Sequence, residues 1–148
     1  MGLFDWILKR NRSDMRIPWS DKFSVGVTEI DSQHKKLFSL YNNLVDAMYE
    51  GETMGKLQET LDKLIEYVVF HFTTEENYMK KYNYPEYEDH KKMHVYLRDK
   101  TLDIHRDFSE GKPVLTADVV DFLKKWLTEH VINVDKKLGK FLKKAGAK

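Results

Sequence analysis

The sequence predicts an all-α protein, an antiparallel up-down-up-down four-helix bundle preceded by an N-terminal arm. Apolar side chains recur at intervals of three and four residues in four long segments, which is the pattern of a helix with one buried face. Glycines and prolines fall between these segments, and the short connections favour antiparallel neighbours. No segment shows the alternation that is typical of strands. We therefore divide the chain into an arm, residues 1–27, and a single bundle domain, residues 28–148.

Each helix has recognisable start and stop signals. The predicted helices cover about residues 28–50, 53–82, 85–110 and 116–144. A threonine hydroxyl can accept a hydrogen bond from the free amides of a first helical turn, so Thr28, Thr53 and Thr116 are predicted N-caps. The segment from Asn11 to Val27 reads as a loop.

The fourth segment contains a break in phase. Its apolar stripe runs to His130, and the next polar residue of the same kind is Asp135. Five residues of a regular α-helix turn a side chain by about 140° from the first, so these two could not face one site. One inserted residue, a π-bulge, would turn both inward, and we predict such a bulge between them.

Composition excludes several classes of protein. The 148 residues include no cysteine, which rules out disulfides, thiol catalysis and cysteine-ligated metal centres. The net charge of +1 does not indicate a nucleic-acid-binding protein. No apolar run approaches the ~20 residues of a membrane span, and the N-terminus lacks a secretory pattern. We expect a cytoplasmic protein.

Five histidines and two carboxylates lie on the predicted buried stripes. They are His34, His71, Glu75, His90, His94, His130 and Asp135. They fall near the start, end, start and end of the successive helices, 14 to 16 residues from the loops at the other end. At 1.5 Å per residue, an antiparallel bundle brings all of them to one level, roughly 21–24 Å above those loops. Buried charge of this kind indicates a metal site.

The number of these side chains indicates two metals. Five imidazoles and two carboxylates are too many for one tetrahedral zinc. With both carboxylates and one oxide or hydroxide as bridges, they leave a single open position on two six-coordinate ions. Spacing alone does not choose the metal, and copper or zinc stays an alternative.

The segments that carry these residues resemble the hemerythrins, most closely the bacterial single-domain members. The matching segments are IDSQH at residues 30–34, HFTTE at 71–75, HKKMH at 90–94 and HVINVD at 130–135. The resemblance covers about Pro18 to Leu142 and implies a non-haem di-iron centre with a bridging oxo or hydroxo group. By this likeness His90, His94 and His130 would bind one iron, and His34 and His71 the other, which keeps the open position. Glu75 and Asp135 would bridge the two.

The resemblance also implies a function, reversible dioxygen binding for transport, storage or delivery, without enzymatic activity. Large apolar side chains near the histidines would keep water from the bound oxygen. These predicted pocket residues are Leu127, Trp126, Phe38 and Phe72. An oxygen or redox sensor is the alternative, and a di-iron oxidase or an enzyme that processes peroxide or nitric oxide is the less favoured one.

Three surface features complete the predictions. Residues 1–12 are apolar with a basic end and would lie on a membrane, dock a protein partner or fold back on the bundle. The lysines of the last helix are interpreted as a solvated face. His105 is off the stripes and is expected at the surface, and we expect a monomer.

Overall fold

The computed structural model describes residues 5–148 and confirms an all-α bundle. The three long helices are α2 (Thr28–Tyr49), α3 (Met54–Lys81) and α4 (Tyr87–Ser109). The fourth helix of the bundle consists of α5 (Ala117–Glu129), a π-helical segment (His130–Asp135) and α6 (Lys136–Lys144). Within the described residues, no helix is both long and apolar enough to cross a membrane.

Two of the three predicted N-caps are confirmed. The Thr53 hydroxyl accepts from the Lys56 amide at 3.2 Å, and the Thr116 hydroxyl accepts from the Val119 amide at 3.3 Å. The prediction for Thr28 was wrong, because Val27 occupies the N-cap position of α2. The Thr28 amide instead donates to the carbonyl of Lys148 at 2.9 Å, so the far end of the chain satisfies this helix start.

The π-bulge predicted in the fourth helix is confirmed. The backbone from His130 to Asp135 is π-helical, and the amide of Lys136 donates to the carbonyl of Val131, five residues back. The extra residue brings the His130 and Asp135 side chains inward together, and both are buried. Beyond it α6 resumes regular α-helical backbone.

Two apolar clusters fill the bundle. The larger one includes the fully buried side chains Tyr41, Leu44 and Leu61. The smaller one, which includes Val27 and Leu138, packs the end of the arm against α6. Full burial of an aliphatic side chain contributes about 1.5–3 kcal/mol, so these clusters stabilise the association of the helices.

The arm contains more helix than the sequence predicted. Between the predicted loop limits Asn11 and Val27 lie a one-turn helix α1 (Arg12–Met15) and a 3-10 turn (Asp21–Phe23), and a further 3-10 helix covers Asp5–Lys9. Such short turns form because local caps and packing on the bundle hold them, as where the Asn11 side chain accepts from the Ser13 amide at 3.0 Å.

The described part of the N-terminal segment folds back on the bundle. Ile7 is fully buried and Trp6 packs against the larger cluster, whereas Leu8 is 68% exposed. The first four residues of the apolar segment 1–12, which include Leu3 and Phe4, lie outside the described residues.

Polar contacts fix the rest of the arm to α2. The buried Asn42 side chain accepts from the Ile17 amide at 2.7 Å and donates to the Ile17 carbonyl at 2.9 Å. Asp46 accepts from Arg12 at 3.1 Å and also from Arg16. The Asn42 contacts satisfy backbone groups that the arm would otherwise bury unpaired, and the Asp46 contacts add charged pairs at the surface.

Candidate metal centre

The bundle brings the seven predicted side chains together at one level. His34 comes from α2, His71 and Glu75 from α3, His90 and His94 from α4, and His130 and Asp135 from the two ends of the π-helical segment. All seven are buried. The pairs in α3 and α4 are four residues apart, so each pair lies on one face of its helix.

The seven side chains form two groups that share two carboxylates. Each residue offers one nitrogen or oxygen, and within a group these atoms all lie within 4.8 Å of one another. One group contains three histidines and the other contains two, and Glu75 and Asp135 belong to both. The groups are His90, His94, His130, Glu75 and Asp135, and His34, His71, Glu75 and Asp135. Two neighbouring cations bridged by two carboxylates fit this arrangement.

The buried donor atoms lack partners of their own. The Nε2 atom of His34 lies 3.0 Å from Asp135 and 3.3 Å from Glu75, yet neither contact has hydrogen-bond geometry. Both oxygens of Glu75 and both oxygens of Asp135 are likewise buried without a hydrogen bond. Unpaired buried polar atoms are costly, and a bound cation would satisfy all of them at once. The residues therefore fit a metal pair.

Charge in the cluster supports cation binding. Burial would raise the pKa of Glu75, but the histidines around it, His71 first, hold the pKa well below its ordinary value. Burial would lower the pKa of His34, but the carboxylates of Asp135 and Glu75 outweigh it and raise the pKa to about 9. The same competition raises the pKa of His90 to about 10. Burial and the neighbouring Glu75 would raise the pKa of Asp135, but His130 and His34 hold the pKa well below its ordinary value, so both carboxylates favour positive charge beside them.

Aromatic rings cover the three-histidine group. Phe72 stacks on His94 with ring centroids 3.9 Å apart, and Trp126 stacks on His130 at 4.2 Å. These rings are two of the four predicted pocket residues, and they shield the imidazoles from water.

The other two predicted pocket residues lie in different surroundings. Leu127 lines an apolar cavity in the bundle core together with Val68 and Leu123. Phe38 packs against Trp19 and Phe23 of the arm, with centroids 5.8 Å and 4.8 Å away. Phe38 thus joins the arm to α2, and the structure gives it no ring contact with the five histidines among the residues described.

Sequence reasoning missed two polar side chains that contact the cluster. Gln33 lies 2.8 Å from Nδ1 of His71, and Glu76 lies 3.0 Å from Nδ1 of His94. Each stands next to a predicted ligand in the sequence, which is the one signal that could have indicated them. His105, by contrast, is partly exposed and pairs with Asp62 at 2.7 Å, away from the cluster.

Fold and site together define a class, the four-helix-bundle proteins whose core side chains hold two metal ions at one end of the bundle. Comparison with known proteins agrees. The sequence model of the hemerythrin HHE cation binding domain matches residues 25–142. The chain therefore belongs to the hemerythrin family.

Individual relatives match over most of the chain. Bacteriohemerythrin of Methylococcus capsulatus is 35% identical over 118 residues, which is 80% of this chain and 89% of that protein. A hemerythrin-like protein of Naegleria gruberi is 35% identical over 119 residues, 80% of this chain and 87% of that one. A solved wild-type hemerythrin superposes with a TM-score of 0.80 at 34% identity, covering 85% of this chain and 97% of that chain.

Proposed function

We propose that this chain binds dioxygen reversibly at two iron ions and serves as an oxygen carrier, store or delivery protein. The observation that carries the proposal is the pair of buried donor groups joined by Glu75 and Asp135. The groups are unequal, with three histidines in one and two in the other, so that one metal of the pair has fewer protein ligands.

Each side chain has a role in this proposal. His90, His94 and His130 would hold one iron, and His34 and His71 the other. Glu75 and Asp135 would bridge the two, with an oxo or hydroxo group as the third bridge. When bound, the iron pair supplies the open coordination position and the electrons that reversible oxygen binding requires.

The surrounding side chains would keep the site dry. Phe72 and Trp126 stack on two of the histidines, and Leu127 lines a core cavity whose lining side chains are all aliphatic except that of Thr101. Excluding water withholds the protons that would release reduced oxygen, so binding stays reversible. We propose a binding protein rather than an enzyme, because Phe72 and Trp126 cover two of the histidines and would limit the access of water and protons.

An absorption experiment tests the proposal. The iron-loaded, reduced protein is measured before air, after air and after purging with inert gas. We expect a coloured form that appears with air and disappears on purging. Direct conversion to a stable oxidised form would contradict reversible binding and favour the sensor function. Many turnovers with an added reductant would favour an enzyme.

Metal analysis tests the ligands separately. We expect two irons per chain in the unaltered protein and clearly less in Glu75→Ala and His94→Ala. The control is His105→Ala, which removes a histidine outside the cluster and should leave the metal content unchanged. Full metal content and full oxygen binding in either cluster variant would show that its assignment as a ligand is wrong.

A further inference from the structure

Two histidines of the cluster have hydrogen-bond partners on the side that faces away from it. The Nε2 atoms of His71 and His94 both lie 3.1 Å from Glu75, inside the cluster. Their Nδ1 atoms contact Gln33 at 2.8 Å and Glu76 at 3.0 Å. One of these partners is a neutral amide on the two-histidine side, and the other is a carboxylate on the three-histidine side.

The orientation of the Gln33 amide follows from its second contact. The Thr74 hydroxyl donates to the carbonyl of Phe70 at 3.3 Å, so it can only accept from Gln33. Gln33 therefore presents its NH2 group to Thr74, at 3.2 Å, and its oxygen to His71. An amide oxygen is an acceptor only, so His71 carries a proton on Nδ1, which leaves Nε2 as the nitrogen that faces the cluster and can bind a metal.

Glu76 sets the tautomer of His94 in the same way, but with a negative charge. A carboxylate oxygen accepts from Nδ1–H, and the charge makes the imidazole a stronger donor to a metal at Nε2. Glu76 keeps 22% of its side chain exposed at the edge of the bundle, whereas Gln33 is buried between α2 and α3.

We infer that Gln33 and Glu76 are positioning residues that fix His71 and His94 in the metal-binding tautomer and make the two metal positions electronically unequal. This inference rests on the proposed function, because it takes both histidines as metal ligands. With metals bound, the Glu76 carboxylate would add negative charge on the three-histidine side and lower the potential of that position. The neutral Gln33 amide would add no charge on the two-histidine side, so that position, with fewer protein ligands, would be the better acceptor of an anionic ligand.

Exchanging the two partners tests the inference. Gln33→Glu places a carboxylate at Nδ1 of His71, and Glu76→Gln replaces the carboxylate at Nδ1 of His94 with an amide. Both substitutions change the size of the side chain very little. In the iron-loaded protein, the midpoint potential should fall in Gln33→Glu and rise in Glu76→Gln. Azide, as an anionic probe of the oxidised iron protein, should bind more weakly to Gln33→Glu.

Metal affinity and tautomer are measured without iron or oxygen. Competition titration with Zn²⁺ should show roughly 10–100-fold weaker binding of one ion in Gln33→Leu and in Glu76→Leu, which both lose the acceptor for Nδ1–H. Nitrogen NMR of the zinc-loaded protein should show an Nδ1–H on His71 and on His94. Gln33→Leu should affect the His71 signal alone, and Glu76→Leu the His94 signal alone.

The outcomes separate the inference from the proposed function. Unchanged zinc affinity, potentials and tautomers in these variants would show that Gln33 and Glu76 only pack against the histidines. Glu76→Leu alone can show this, because the Glu76 side chain is partly exposed at the edge of the bundle and its replacement buries no new polar group. If the zinc affinities, midpoint potentials and histidine signals change as stated and the protein still fails to bind oxygen reversibly, the inference stands and the proposed function is wrong.

Discussion

Gly139 marks the closest approach between the fourth helix and the arm, and Gly139→Ala tests how tightly they pack. An added Cβ atom would lie 2.8 Å from Cβ and 2.9 Å from the carbonyl carbon of Val25, and closer still to its oxygen. Carbon atoms in contact are normally about 3.5–4.0 Å apart. The arm and α6 would have to separate by roughly 1 Å to admit one methyl group.

The expected loss of stability in Gly139→Ala follows from two opposing effects. Overpacking of this kind costs about 1–3 kcal/mol, because the clash is with backbone that cannot rotate away. Alanine is the better helix former by about 0.5–1 kcal/mol, which offsets part of the clash. We expect a net loss of about 1–2 kcal/mol in the free energy of unfolding. For a domain of this size, such a loss lowers Tm by roughly 2–8 °C.

Urea and thermal unfolding of the metal-free protein measure this difference. The matched control is Gly55→Ala in α3, where a Cβ would meet no atom within 4 Å. That variant should be as stable as the unaltered protein or gain up to about 1 kcal/mol. If Gly139→Ala is as stable as Gly55→Ala, the arm is not held against α6 as described.

Three further predictions concern the arm and the core. Asn42→Ala should cost about 1–3 kcal/mol in urea unfolding, because both backbone groups of Ile17 would stay buried without partners. Asp46→Asn should cost about 1 kcal/mol at pH 7. Burial would raise the pKa of Asp46, but hydrogen bonds from Arg16 and Arg12 outweigh burial and lower the pKa. The stabilisation by ionised Asp46 is therefore fully present above the ordinary carboxylate pKa and is lost as the pH falls through the lowered pKa. The unfolding free energies of Asp46→Asn and of the unaltered protein should converge in acid. Leu127→Ala should speed oxidation of the reduced, iron-loaded protein in air, followed by absorbance, because water gains access to the core.

Each of these predictions has a control. For Asn42→Ala the control is Asn43→Ala, which truncates the exposed neighbouring asparagine. Equal losses of unfolding free energy in the two variants would refute the role given to the hydrogen bonds between Asn42 and Ile17. Glu66→Gln changes an exposed carboxylate, and a stability gap for Asp46→Asn that persists unchanged in acid would contradict the sign given above. Leu102→Ala removes a leucine that is 47% exposed, and it should leave the oxidation rate unchanged. The explanation for Leu127 fails if both leucine variants oxidise at the rate of the parent.

The sequence predicted the architecture and the level of the polar cluster because both depend on periodicity alone. Helical spacing places His71 on one helix face with Glu75, and His90 on one face with His94. The antiparallel order of the helices then brings the polar side chains of all four to one level of the bundle. The π-bulge could be predicted for the same reason, since two inward side chains five residues apart violate the α-helical period.

Contacts between distant segments could not be predicted in this way. The Thr28 amide is satisfied by Lys148, 120 positions along the chain, and no local pattern announces that pairing. The short helices of the arm depend on packing against α2. The role of Gln33 depends on the rotamer it adopts between two helices, which a neighbouring position in the sequence suggests but does not determine.

The π-helical segment also determines where the fourth helix tolerates a change of length. Removing one residue from a regular helix rotates everything beyond it by about 100° relative to the part before. Between His130 and Asp135, the loss of one residue would leave a spacing of four, which an ordinary α-helix places on one face. A single deletion at Asn133 should therefore convert the segment to α-helix and keep Leu138 in the core. The same deletion at Lys125 would turn His130 out of the cluster. In the fourth helix, the loss of a single residue should accordingly be tolerated best within these six residues.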